Sequence, residues 1–195
     1  MRELLDRLRQ QHRDIGVLLE MLSAEVGRIE RAGDPDYDVL TMALEYLDVH
    51  LELYHHYNED LLYDRLLRRD AAAAARVGDI RAAHAILGSR VREFARGLRA
   101  VLTEAEISRP ALVKWARDFI ALQAQHMAME NEKLFPAAER ALTAADWKHI
   151  GKAAKTGPDP LFGKSADVRF GHLRDAISVW RENESRVGEN RAGAA

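Results

Sequence analysis

Apolar residues recur every three or four positions along almost the whole chain, the period of helices that bury one face. In the first stretch Leu5, Leu8, Ile15, Leu19, Leu22 and Val26 form one stripe, which stops at Gly33-Asp34-Pro35. Glycine suits the position just past a helix, and Asp with Pro suits the start of the next. A second helix is predicted from about Asp36 to Arg69, with Leu40, Leu44, Leu47, Leu51, Leu62 and Leu66 on one side. The alanine run at 71–75 leads through Gly78-Asp79 into a third, which carries Ile80, Leu87, Val91, Leu98 and Leu102. Ser108-Arg109-Pro110 opens a fourth, where the missing proline N–H costs nothing. Its inward stripe is Trp115, Phe119, Leu122 and Met129, and Pro136 is expected to end or kink it.

Beyond these, Thr143-Ala-Ala-Asp146 reads as a capping box opening a short helix to about Ala154. A Gly157-Pro158-Asp159-Pro160 loop with Leu161-Phe162 as an apolar plug precedes a last helix from about Ala166 to Arg186. The tail after Gly188 is expected to be disordered. No strand pattern and no solenoid repeat interrupts this. The expected fold is all-α: an antiparallel up-down-up-down four-helix bundle over residues 1–150, with a C-terminal helical appendage over 151–195 packing on it.

Composition narrows the chemistry. The 195 residues suffice for one sizeable core. A net charge of −2 gives no field to draw in nucleic acid or an anionic membrane, so neither is an expected partner. The absence of cysteine excludes disulfides, iron–sulfur clusters and thiolate zinc sites. No apolar run approaches the roughly 20 residues of a membrane span, and MRELLDRLRQQH has no uncharged core of a secretory signal. A cytoplasmic protein, monomeric or weakly dimeric, is expected.

There are 8 histidines, and their placement matters more than their number. HxxxE occurs twice, at His55/Glu59 and His126/Glu130, and residues four apart share a helix face. At about 100° per residue, His12, His55, His84 and His126 each fall within the apolar stripe of a different long helix. The rival pair His56/Asp60 falls off its stripe, by about 100° or more. Height agrees with angle. His12 and His55 lie 22 and 21 residues from the turn at Asp34, and His55 and His84 lie 15 and 14 from one near Asp70. His84 and His126 lie 23 and 19 from one near Ile107. Antiparallel rods with such arms bring four imidazoles and two carboxylates into one layer. Burying them unpaired would cost several kcal/mol per charge, whereas metal removes that cost. The set is too large for one tetrahedral zinc and suits two octahedral-leaning ions, iron or manganese. A haem would need two axial histidines and strand both glutamates.

The stretches Tyr54-His-His-Tyr-Asn-Glu-Asp60 and Gln125-His-Met-Ala-Met-Glu-Asn-Glu-Lys-Leu-Phe-Pro136, with His12 and His84 one to each intervening helix, resemble the hemerythrin-like (HHE cation-binding) domain of bacterial type. The resemblance spans about residues 1–150. It implies a non-haem di-iron centre, two iron ions, in a four-helix bundle. His12 and His55 would hold one ion, His84 and His126 the other, with Glu59 and Glu130 bridging. The chain departs from the oxygen carriers at Gly88, where HxxxH would place a histidine, and at Asn131, where HxxxxD would place an acid. About two histidines per ion, with more open positions, favour exchangeable substrates. The order is the reverse of the ferritin-like Glu-x-x-His, so storage by that route is not supported.

Tyr54 and His56 flank His55 and are candidates either for an outer contact or for a vacant position on the metal. Tyr57 and Tyr63 add phenols near that end of the helix. His50, His149 and His172 read as surface histidines. The function expected is reaction with hydrogen peroxide, nitric oxide or dioxygen as a small-molecule ligand, in peroxidase- or catalase-like relief of oxidative or nitrosative stress. The alternative is non-catalytic oxygen or iron binding by a carrier or sensor.

Overall fold

The first apolar stripe folds as α1 (Glu3–Glu30), burying Leu5, Leu8, Ile15, Leu19, Leu22 and Val26. Its exit differs from the expected glycine turn. Ala32 takes the left-handed conformation, at φ 56°, while the Gly33 N–H closes back on the Arg28 carbonyl at 2.8 Å. The glycine therefore sits one place beyond the strained residue. The computed structural model describes residues 3–103, 107–163 and 167–192. Among these every regular element is helical, and no helix is long and apolar enough to cross a membrane.

The second segment is one uninterrupted rod over residues 37–69, built of α2 (Tyr37–Glu45), a π-helical stretch π1 (Tyr46–His56) and α3 (Tyr57–Arg69). Asp36 caps its start, accepting from the Val39 N–H at 2.9 Å. Asp70 then caps α4 (Ala71–Val77), so the alanine run is a short helix of its own. Gly78, at φ 100°, turns the chain into α5 (Ile80–Leu102), capped by Asp79. The fourth segment, over residues 109–141, again contains a π turn: α6 (Arg109–Met129), π2 (Glu130–Leu134) and α7 (Phe135–Ala141). Pro136 neither ends nor breaks it. The proline ring and missing N–H disrupt an α ladder, and the widened turn just before it absorbs that disruption.

α1 and α5 both pack along α6. Close approach of α5 to α6 needs Gly97, where a Cβ would meet the Trp115 ring at 2.9 Å. Trp115 is thus spent on that crossing. The buried apolar residues form two separate clusters. One joins the start of α1 (Leu5, Leu8) to the end of α3 (Leu62, Leu66), the start of α5 (Ile80) and Leu134 and Phe135. The other joins the later part of α1 to α2, to Leu87–Leu98 of α5 and to Leu112 and Phe119 of α6. Between them lies a polar layer.

Thr143 and Asp146 form the expected capping box at the start of α8 (Ala144–Ala153). Asp146 also receives Arg65 and Arg69 of α3, each at 2.7 Å, which pins α8 to that rod. The loop that follows straps π1 and α3. Asn58 exchanges two bonds with the Lys155 backbone, Tyr46 donates its hydroxyl to Asp159, and Gly157 lies against the Tyr54 ring. Leu161 is buried as the expected plug. The last helix, α9 (Gly171–Ala192), begins after a 3-10 turn at Val168–Phe170 and buries Leu173 and Ile177. It starts later than about Ala166, which lies outside the described residues, and continues past Gly188, where a disordered tail was expected. Residues 193–195 of that tail lie outside the described residues.

Candidate metal centre

The polar layer contains all six side chains expected from the sequence. His12, His55, Glu59, His84, His126 and Glu130 are between 0 and 6% exposed. Each glutamate offers one oxygen to each side of the layer. Glu59 Oε1 lies 3.1 Å from His55 Nε2 and 3.2 Å from His12 Nε2, while Oε2 lies 3.5 Å from His84 Nε2. Glu130 Oε2 lies 3.4 Å from His12 Nε2, and Oε1 lies 3.2 Å from His126 Nε2 and 3.6 Å from His84 Nε2. Two groups of potential ligand atoms result, each lying within 4.8 Å of one another: His12, His55, Glu59 and Glu130, and His56, Glu59, His84 and His126.

His56, expected as an optional ligand, joins the second group, making three imidazoles on one side against two on the other. The π stretch explains its arrival. Along it the buried residues come in pairs, Tyr46 with Leu47, His50 with Leu51, and His55 with His56. That spacing of four and five fits a π turn with its i→i+5 bonds, not an α turn. An α register places His56 about 100° off the stripe; the wider turn brings it in, stacked on His84 with ring centroids 4.0 Å apart. The rival His56/Asp60 pair, set aside in the sequence, does not form. His56 Nδ1 faces Glu52 at 3.4 Å, and Asp60 serves His84 instead.

The same turn overturns the surface reading of His50. It is buried, stacked on Tyr46, inclined to Tyr54, and 3.6 Å from Asp159. Burial lowers its pKa, against the opposing charge of Asp159. Tyr54 lies beside it, lining a cavity of about 260 Å³ with its ring against Gly157 of the strap. His149 and His172 are exposed as expected, the latter paired with Asp36 at 2.9 Å.

Several imidazoles are braced from behind. His12 Nδ1 bonds Asn131 Oδ1 at 3.2 Å, His55 Nδ1 bonds Gln11 Oε1 at 3.0 Å, and His84 Nδ1 bonds Asp60 Oδ1 at 3.1 Å. An oxygen can only accept, so each Nδ1 carries the proton and a neutral ring turns a bare Nε2 lone pair inward. Inward there are further acceptors. His12 Nε2 and His55 Nε2 stand 3.1 Å apart. His56 Nε2, His84 Nε2, His126 Nε2, Glu59 Oε2 and both oxygens of Glu130 are buried without a hydrogen-bond partner. Each such orphan costs on the order of 1–3 kcal/mol.

Protons relieve part of this. Burial opposes charging His12, yet Glu130 and Glu59 push it up to about 10. His84 likewise rises to about 11 against its burial, through Asp60, Glu130 and Glu59. Burial and the neighbouring Glu59 charge work to raise Glu130, but His12, His126 and His84 bring it down to about 2. Glu59 is held well below its usual range by His55 and His12, again despite burial. Burial takes His56 the other way, down to about 4. Two imidazolium ions and two carboxylates balance in charge, but leave lone pairs facing one another. Cations placed among them satisfy every donor, and hard carboxylates with borderline imidazoles suit iron or manganese. The residues fit such ions.

Sequence reasoning missed Gln11, Glu52 and Asp60 as braces, because each acts across rods or through the π register. A groove of about 640 Å³ between α1 and α6 reaches His12 and Asn131, past Gly16 and Ala124. The family model described as hemerythrin HHE cation binding domain matches residues 3–138. Comparison with curated proteins and with solved structures gave no match.

Proposed function

The chain belongs to the hemerythrin HHE cation-binding domain family, and from that premise we propose that it is a cytoplasmic non-haem di-iron protein that reacts with hydrogen peroxide, nitric oxide or dioxygen. Its long rods form an antiparallel up-down-up-down four-helix bundle over residues 1–150, with residues 151–195 as a C-terminal appendage. His12 and His55 would hold one ion and His84 and His126 the other, Glu59 and Glu130 would serve both, and His56 would be a further donor to the second. The observation that carries this is the convergence of five imidazoles and two carboxylates in one buried layer, with six of their inward atoms left without a hydrogen-bond partner.

Bound iron supplies open positions and redox capacity for a small oxidant. The chain supplies the rest. The braces on His12, His55 and His84 fix their tautomers and orientations. The two carboxylates give the ions a shared charge. The apolar clusters above and below keep bulk water out, with Phe135 stacked on His12. The groove beside His12 admits a ligand of a few atoms.

Iron-loaded protein should contain about two irons per chain and consume hydrogen peroxide over many turnovers, measured by elemental analysis, absorption spectroscopy and peroxide titration. A reversible oxygen-dependent band without net turnover would replace the enzyme reading with the carrier or sensor. One zinc ion, or none, would overturn the di-iron centre.

A further inference from the structure

The cavity of about 260 Å³ lies between α1, π1 and the strap, with Gln11 standing between it and His55. A water molecule takes about 30 Å³ of the liquid, so a small organic molecule has room there. Both carboxylates in its lining are already committed. Asp159 Oδ1 accepts from the Leu161 and Phe162 N–H groups at 2.9 and 2.8 Å, and Oδ2 from the Tyr46 hydroxyl at 3.0 Å. Asp14 is paired with Arg181 at 3.1 Å and with the Gln10 amide at 3.1 Å. The donors are not committed. Among the described residues Arg7 meets no carboxylate, and the Lys155 ammonium has only the Tyr57 ring, at 4.0 Å. Gln11 spends its Oε1 on His55, which leaves its amide N–H groups without a protein partner. The Tyr54 hydroxyl, beside Gly157, donates to no oxygen of the described residues. His50 is 6% exposed, and its Nε2 is buried without a hydrogen-bond partner, since Asp159 at 3.6 Å is too far.

We propose that this cavity is a second binding site, separate from the metal layer, for a small carboxylate. Its oxygens accept from Arg7, Gln11, Tyr54 and His50, and Phe162 and Gly157 supply the wall for its carbon end. A bond from a guanidinium to a carboxylate is roughly twice as strong as a neutral one, so Arg7 is the principal anchor. Arg7, Lys155 and Arg181 against Asp14 and Asp159 leave one positive charge in surplus, which selects a monoanion over a phosphate dianion. Gln11 holds the ligand by its N–H and His55 by its oxygen, so occupancy is felt at that imidazole. The site does not depend on the two-ion reading above.

Titration of acetate into the full chain without added metal, followed by proton–nitrogen NMR, tests it. Saturable shifts are expected at the Gln11 side-chain amide and the Gly157 backbone N–H, with none at Gly88 and Gly97 on α5. Arg7→Met should weaken acetate binding about tenfold. Tyr54→Phe, which keeps the ring against Gly157 and removes only the hydroxyl, should weaken it about fivefold. Arg96→Met removes the same charge from the exposed face of α5 and should leave the affinity unchanged. Shifts that do not saturate, equal weakening by Arg7→Met and Arg96→Met, or phosphate bound more tightly than acetate would each overturn the assignment.

Discussion

At the scale of single residues, the cluster exchanges protons for metal. His12 and His84, raised to about 10 and 11, are protonated at neutral pH in the metal-free protein. Loading at pH 7 should therefore release about two protons per cluster, which calorimetry in buffers of different ionisation enthalpy would count. Because these pKa values are raised above the ordinary 6.5, the pairs stabilise the metal-free fold fully below that pH. This contribution fades as pH rises through about 10 to 11. His55→Ala and His126→Ala should each abolish the iron spectrum, each removing an inward donor. His50→Ala should keep it while lowering the melting temperature, since that ring faces Asp159 and Tyr46, not the ligand atoms. Loss of the spectrum in that variant would show that His50 reaches the metal. His12, His84 and His126 were legible from angle and height because α1, α5 and α6 keep a true α pitch through them. The repeated HxxxE spacing marked His55, Glu59 and Glu130 even though His55 and Glu130 lie in π stretches. In the sequence His50 reads as a surface residue and His56 only as an optional ligand, because both lie where the pitch changes.

Elements follow from caps and stripes, and depart where backbone geometry does. The caps at Asp36, Asp79, Ser108 and Thr143 fall where short polar side chains precede apolar runs. The two π stretches were hidden, since an extra residue per turn leaves no mark in composition. Only the paired spacing at 46–47, 50–51 and 55–56 records it. Ala32 is the other departure. A non-glycine residue at φ 56° costs about 1–2 kcal/mol, so Ala32→Gly should stabilise the protein by about 1 kcal/mol and raise its melting temperature by about 2–4 °C. A lower melting temperature would show that the Cβ of Ala32 makes contacts worth more than the strain. On α1, the helix before it, a Cβ at Gly16 meets nothing within 4 Å and faces the groove. Gly16→Phe should slow the binding of azide or nitric oxide to the iron-loaded protein without changing its iron content. Unchanged rates would mean that ligands enter elsewhere.

For the molecule as a whole, the all-helical architecture was readable from periodicity alone, and the polar layer from where the histidines fall. The strap was not, because its hold on π1 and α3 is a matter of single contacts: Asn58 to Lys155, Tyr46 to Asp159, Gly157 under Tyr54. The division of the apolar interior into two clusters has a further consequence. Across the layer the halves have little oily surface in common, so their cooperativity must pass through the imidazoles and carboxylates between them. Protein stripped of metal should melt over a broad interval or in two stages, the half around Leu62, Leu66 and Phe135 separable from the half around Leu22, Phe94 and Phe119. Iron-loaded protein should melt in one sharp transition, by calorimetry, and a single sharp transition in both forms would show that the helical backbones alone carry the coupling. The ions then decide not only what the protein reacts with but whether it behaves as one body or two, much as a keystone makes an arch out of two leaning columns.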